Sequence, residues 1–71
     1  MQRAFYFECG LDVSEQYFDL NICKKLAGEY CTLHKSEVMI YAIDFRGEVV
    51  GAKHLICIVK YEYYRVVFHK L

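Results

Sequence analysis

Proline and tryptophan are absent from this 71-residue chain, and glycine occurs only four times. No low-complexity tract, internal repeat or Pro/Gly/Ser-rich linker interrupts it, so residues 1–71 are expected to form a single domain. An excess of charge is lacking as well. Nine Lys and Arg balance nine Asp and Glu, whereas a general nucleic-acid binder carries a basic excess that neutralises phosphates. No apolar run approaches the ~18 residues of a membrane-spanning helix. Met1-Gln2-Arg3 leads directly into a β-like segment, without the h-region or cleavage site of a signal peptide. The expectation is a soluble, cytoplasmic protein with no membrane partner.

Signatures of catalysis are missing in the same way. The four cysteines, Cys9, Cys23, Cys31 and Cys57, include no C-x2-C pair, and in a reducing compartment they stay free thiols. Cys31-Thr32-Leu33-His34 has a C-x2-H spacing that places two ligands on one ion, but no second pair completes a site, so no metal is expected. Cys57 lies in the apolar run from Leu55 to Val59, an environment that raises a thiol pKa and leaves it unreactive. Asp44 and Glu48 flank a turn, where carboxylates are simply solvated. Gly47-x3-Gly51 lacks the Lys-Ser/Thr and the helix that a phosphate loop requires. No catalytic residue and no cofactor are expected, and the chain does not read as an enzyme.

What the chain does have is apolar surface. Hydrophobic and aromatic residues make up 56% of it, against about 45–50% in ordinary globular domains. A domain of this length buries only about 60% of its extended-chain surface. Part of the excess therefore stays exposed in a monomer, and exposed apolar patches mark interfaces.

The most informative stretch runs from Glu37 to Val59 and reads as two strands joined at Arg46-Gly47. Val38, Ile40, Ala42 and Asp44 alternate with Met39, Tyr41, Ile43 and Phe45, so both faces of the first strand are apolar. In the second strand, Val50, Ala52, His54, Ile56 and Ile58 are expected on one face, with Val49, Lys53, Leu55, Cys57 and Val59 on the other. Gly51 inside it suggests a bulge or bend. Strands of this kind belong in the centre of a sheet with both faces covered.

Upstream, residues 3–9 read as a strand with Phe5, Phe7 and Cys9 on its core face and Ala4, Tyr6 and Glu8 on the other. Asp12 to Gly28 carries helix signals at both ends. Asp12 and Glu15 are spaced as a capping box, Lys24 and Lys25 fall in the last turn, and Gly28 sits at C′. Phe18, Ile22 and Leu26 form its stripe, widened by Leu20, Cys23 and Ala27. The alternation of Phe18 to Ile22 keeps a strand open as the other reading. Glu29 to His34 reads as a brief strand or a loop. Lys60 marks a turn into a last strand, Tyr61 to Lys70, whose charges on both rows suit a sheet edge.

These elements predict an α+β domain, a four- to five-stranded, mostly antiparallel sheet with one helix on one face. The alternative is a small all-β barrel in which 12–28 is a strand. A single helix covers one face of the sheet, so the other needs a partner, most simply a second copy. Val38, Ile40, Ile56 and Ile58 are the expected homodimer interface. Tyr61, Tyr63, Arg65 and His69 on one face of the last strand, joined by Tyr6, are the expected partner-binding residues, because Tyr and Arg are enriched at interface hot spots. The functional expectation is a non-catalytic protein-binding module, an inhibitor or adaptor that occludes a partner's surface. A Met-initiated chain of this length without a catalytic signature also has the size of inhibitors encoded by phages and mobile elements. The same Tyr/Arg-bearing face would serve the alternative, single-stranded nucleic-acid binding by stacking, although no RNP1-like string is present.

Overall fold

Alternation in the first residues produces β1, Gln2–Cys9, with the Phe5/Phe7 row turned inward as expected. The structure, a computed structural model, describes residues 2–71; Met1, read above as the start of an export-signal-free N-terminus, lies outside them. Among the described residues the chain continues with β2 (Asp12–Val13), helix α1 (Leu20–His34), β3 (Val38–Arg46), β4 (Val49–Glu62) and β5 (Arg65–Lys70). The five strands form one open sheet in the order β2-β1-β3-β4-β5, every pairing antiparallel. The α+β reading holds, and the sheet does not close into the alternative barrel.

The helix lies seven residues downstream of its expected start. Its N-cap is Asp19, in extended backbone, whose carboxylate accepts from the Asn21 and Ile22 amides at 2.8 and 3.3 Å. Such a cap stabilises a helix by about 1 kcal/mol. Asp12 instead pairs with Cys9 in β2, and its carboxylate accepts a hydrogen bond from the Tyr30 hydroxyl. Gly28 is not a C′ glycine but an interior helical residue, and Glu29 to His34 is neither strand nor loop but the last part of the same helix. Lys35, in the left-handed region at φ 51°, closes it by donating its amide to the Cys31 carbonyl at 2.7 Å.

The buried stripe is made of small residues. Cys23, Ala27 and Cys31, at i, i+4 and i+8, are fully buried, whereas Phe18 and Ile22, expected to lead the stripe, are 64% and 50% exposed. Small side chains let the helix settle close to the sheet, onto Phe7, Val38, Ile40, Cys57 and Val59. A Cβ at Gly28 would stand 3.2 Å from Cζ of Phe68 on β5.

Two irregularities reshape β4. Phe45 pairs with Val50 and Ile43 with Lys53, so Asp44 faces both Gly51 and Ala52, the bulge that Gly51 suggested. A second shift leaves Ile56 without a partner between Ile40↔Cys57 and Tyr41↔Leu55. That extra residue reverses the alternation. Lys53 and Leu55 therefore share a face with Tyr41 and Ile43, while Cys57 and Val59 lie under the helix, and the four do not form one row.

The last expected strand is also two. Lys60 does not turn; β4 runs on to Glu62 and the chain reverses at Tyr63 and Tyr64, both in the left-handed region at φ 51° and 66°.

Candidate interaction surfaces

Strand pairing fixes which residues share each face, because partners in an antiparallel ladder point the same way. The registers Tyr6↔Tyr41, Glu8↔Met39, Met39↔Ile58, Tyr41↔Leu55 and Ile43↔Lys53 assemble the face opposite the helix. On β5 the same face receives Arg65, Val67 and His69, opposite Glu62, Lys60 and Ile58. Its centre is apolar and half-buried at Met39, Tyr41, Ile43 and Ile58, with exposed Leu55 beside them. The helix does not cover it: α1 packs on β1, β3, β4 and β5 from the opposite side, although Ala4, beside Ile43, is fully buried.

Several polar groups on this face are paired. The Tyr6 and Tyr41 rings stack with centroids 5.5 Å apart. The Lys53 ammonium sits 4.3 Å from the Tyr41 centroid and donates to Glu8 Oε2 at 3.0 Å, which raises its pKa. Across the sheet, His69 Nε2 meets Glu62 Oε1 at 2.9 Å. Exposed pairs of this kind contribute little stability, and among the described residues Lys60 and Arg65 on the same face make no ion pair.

The residues expected to bind a partner are dispersed. Tyr6 is on the open face, its ring held against Tyr41. Tyr61 is on the helix side, packed against the core with Lys35 Nζ 5.1 Å from its ring centroid. Tyr63 stands at the β4–β5 turn. Arg65 and His69 return to the open face. A single face bearing all five is not formed, because the turn falls between Tyr61 and Arg65. Of the four residues expected at a dimer interface, Val38 and Ile40 are fully buried under the helix. Ile56 is packed against the helical core by the bulge. Ile58 alone lies on the open face.

Two features escaped the sequence reading. Tyr63 and Tyr64 form the tip of a two-residue hairpin and are 90% and 94% exposed. Turns of this kind favour Asn-Gly, so nothing in Tyr-Tyr announces one. The second is a groove of about 520 Å³ between α1 and β5, floored by Gly28, Val66 and Phe68 and bordered by Leu33, Lys24 and Lys25.

Chemistry at the cysteines is unfavourable. All four are free thiols, with Cys23, Cys31 and Cys57 buried. Burial raises all three, Cys23 from the ordinary 9 to about 11. Cys31 points at the Val59 carbonyl inside the core, whereas His34 is exposed and lies against the Tyr30 ring, so the C-x2-H pair does not converge. Among the described residues no group of three or more His, Cys, Asp or Glu is placed to hold a metal ion, and no helix is long and apolar enough to cross a membrane. Compared with known proteins, the chain matches no family model, no curated protein and no solved structure.

Proposed function

We propose that this protein is a non-catalytic protein-binding module of the cytoplasm that self-associates through its open sheet face. The observation that carries this reading is the apolar centre of that face, Tyr41, Ile43, Leu55 and Ile58, which no helix or strand among the described residues covers. A second copy suits it for two reasons. The principal extents of 42 and 22 Å set an upper limit of roughly 900 Å² on any flat face, which leaves room for the ~800 Å² per partner of a standard interface. Lys53 meets Glu8 and His69 meets Glu62 within each copy, and the net charge is zero, so no net charge opposes the meeting of two copies.

Self-association leaves the rim free. The Tyr63-Tyr64 tip, with Arg65 beside it, is the part of the rim suited to a foreign protein, which the domain would engage as an inhibitor or adaptor by occlusion. The nucleic-acid alternative has less support, because the Tyr6 and Tyr41 rings face one another and the remaining tyrosines leave that face.

The test is a pair of separate variants, Ile43→Glu and Ile58→Glu. Both positions are half-buried on the open face and away from the helical core. Each variant is expected to keep its far-ultraviolet circular dichroism and lose self-association by sedimentation. Variants that stay folded and associate as the parent does would remove the basis of the proposal.

A further inference from the structure

We infer that the outer edge of β5, together with the groove between β5 and α1, binds an extended acidic segment of another protein as a sixth strand. The inference does not rest on self-association, which uses the other face of the sheet.

The edge is open in a specific way. The Leu71 amide donates to the Ile56 carbonyl at 3.2 Å. Because backbone groups alternate along an antiparallel strand, His69, Val67 and Arg65 then turn theirs toward β4. Val66, Phe68 and Lys70 turn theirs outward, beyond the last strand of the sheet. The opposite edge is closed by the chain itself. Phe5 and Tyr17 exchange amide–carbonyl bonds at 2.7 Å, and the Ser14 amide and hydroxyl bond the Phe7 carbonyl and amide at 2.9 Å. Only a further strand satisfies the β5 edge equally well.

The groove supplies side-chain recognition. Val66 and Phe68 point toward the helix and floor the cavity with Gly28, and Leu33 borders it. Alternate side chains of an added strand would enter it. Lys24 Nζ lies 5.2 Å from the Phe68 ring centroid. Lys24, Lys25 and Lys70 gather on this side of a chain whose net charge is zero, with Glu29 as the acidic residue on the groove wall. A second copy paired edge to edge would bring these cations together, the arrangement by which lysines on edge strands discourage self-pairing. An acidic strand carries the complementary charge.

The experiment is an amide-resolved NMR titration of the full chain with a short synthetic peptide in which Thr alternates with a row of Val and Glu, so that both Val and Glu fall on the groove side, and with a counterpart carrying Lys in place of Glu. The acidic peptide is expected to shift the Val66, Phe68 and Lys70 amides and slow their exchange; the basic one is not. Lys70→Gln and Lys70→Pro both remove the charge, but only proline removes the outward N–H, a change that edge strands tolerate. Lys70→Pro should bind about fivefold more weakly than Lys70→Gln, the scale of one net hydrogen bond. Reversing both helix lysines (Lys24→Glu with Lys25→Glu) should weaken binding at least about tenfold. Equal binding of the two peptides, or no shift at the edge amides, would overturn the inference. So would shifts confined to Tyr41, Ile43 and Ile58, or edge amides that become protected as the peptide-free chain is concentrated, which would place a second copy there.

Discussion

Replacing Tyr63-Tyr64 by Asn-Gly should stabilise the isolated protein. Both tyrosines hold positive φ, 51° and 66°, and the left-handed conformation costs an ordinary residue about 1–2 kcal/mol. The two together therefore carry roughly 2–4 kcal/mol of backbone strain. They are 90% and 94% exposed, so removing the rings forfeits almost no burial. Against the gain stands the greater freedom of glycine in the unfolded chain, about 0.5–1 kcal/mol, and asparagine relieves only part of the strain at its position. The net expectation is a stabilisation of about 1–2 kcal/mol. For a domain of this size that corresponds to a rise in Tm of roughly 5–15 °C, read by thermal circular dichroism at matched protein concentrations, since association also shifts Tm. An unchanged or lower Tm would refute the reasoning, because it would mean that the tyrosine rings make contacts which offset the strain.

The helix cap and the thiols offer further tests. Asp19→Ala should lower stability by about 1 kcal/mol in urea unfolding, whereas Asp12→Ala should leave the helix cap intact. At mildly alkaline pH an aromatic disulfide reagent should modify Cys9 quickly and Cys23, Cys31 and Cys57 only on unfolding, because those three are buried. Stability should also fall as pH rises from about 9 toward 11. In that window the unfolded chain releases its thiol protons while folded Cys23 retains its own, so ionisation favours the unfolded state. Cys23→Ala should flatten part of that slope in denaturant titrations at successive pH values.

Where local pattern and tertiary structure agree, the sequence was readable. The two-residue period of Phe5, Phe7 and Cys9 placed the correct row inward, and Gly51 marked a bulge; the period of Val38, Ile40 and Ala42 shows a row in need of cover, which the expectation gives to a second copy and the structure gives to the helix. Where packing overrides pattern, reading failed. Asp12 and Asp19 both precede helical spacing, and the choice between them depends on residues 12–17 being needed along the edge of β1. Gly28 resembles a helix terminator, yet its lack of a side chain serves the close approach of Phe68. Cys23 and Ala27 have only a widening role in the expected stripe, and Cys31 falls beyond its expected end, because they are small while the larger Phe18 and Ile22 draw attention. The Ile56 bulge has no glycine to announce it. It turned Ile56 toward the helix and set Val59 and Cys57, not the expected Ile58 and Ile56, beside Val38 and Ile40 on the face that the helix covers. The Tyr-Tyr turn likewise has no turn chemistry, and missing it fused two strands into one.

The most direct test of the central claim, that the open sheet face is a contact surface filled by a second copy, is the solution mass of the purified chain by light scattering across a concentration series. The mass should rise from the 8.4 kDa of one chain to twice that value and stop there, since a face-to-face contact closes on itself. A mass that stays at one chain up to the highest concentration would contradict self-association through that face.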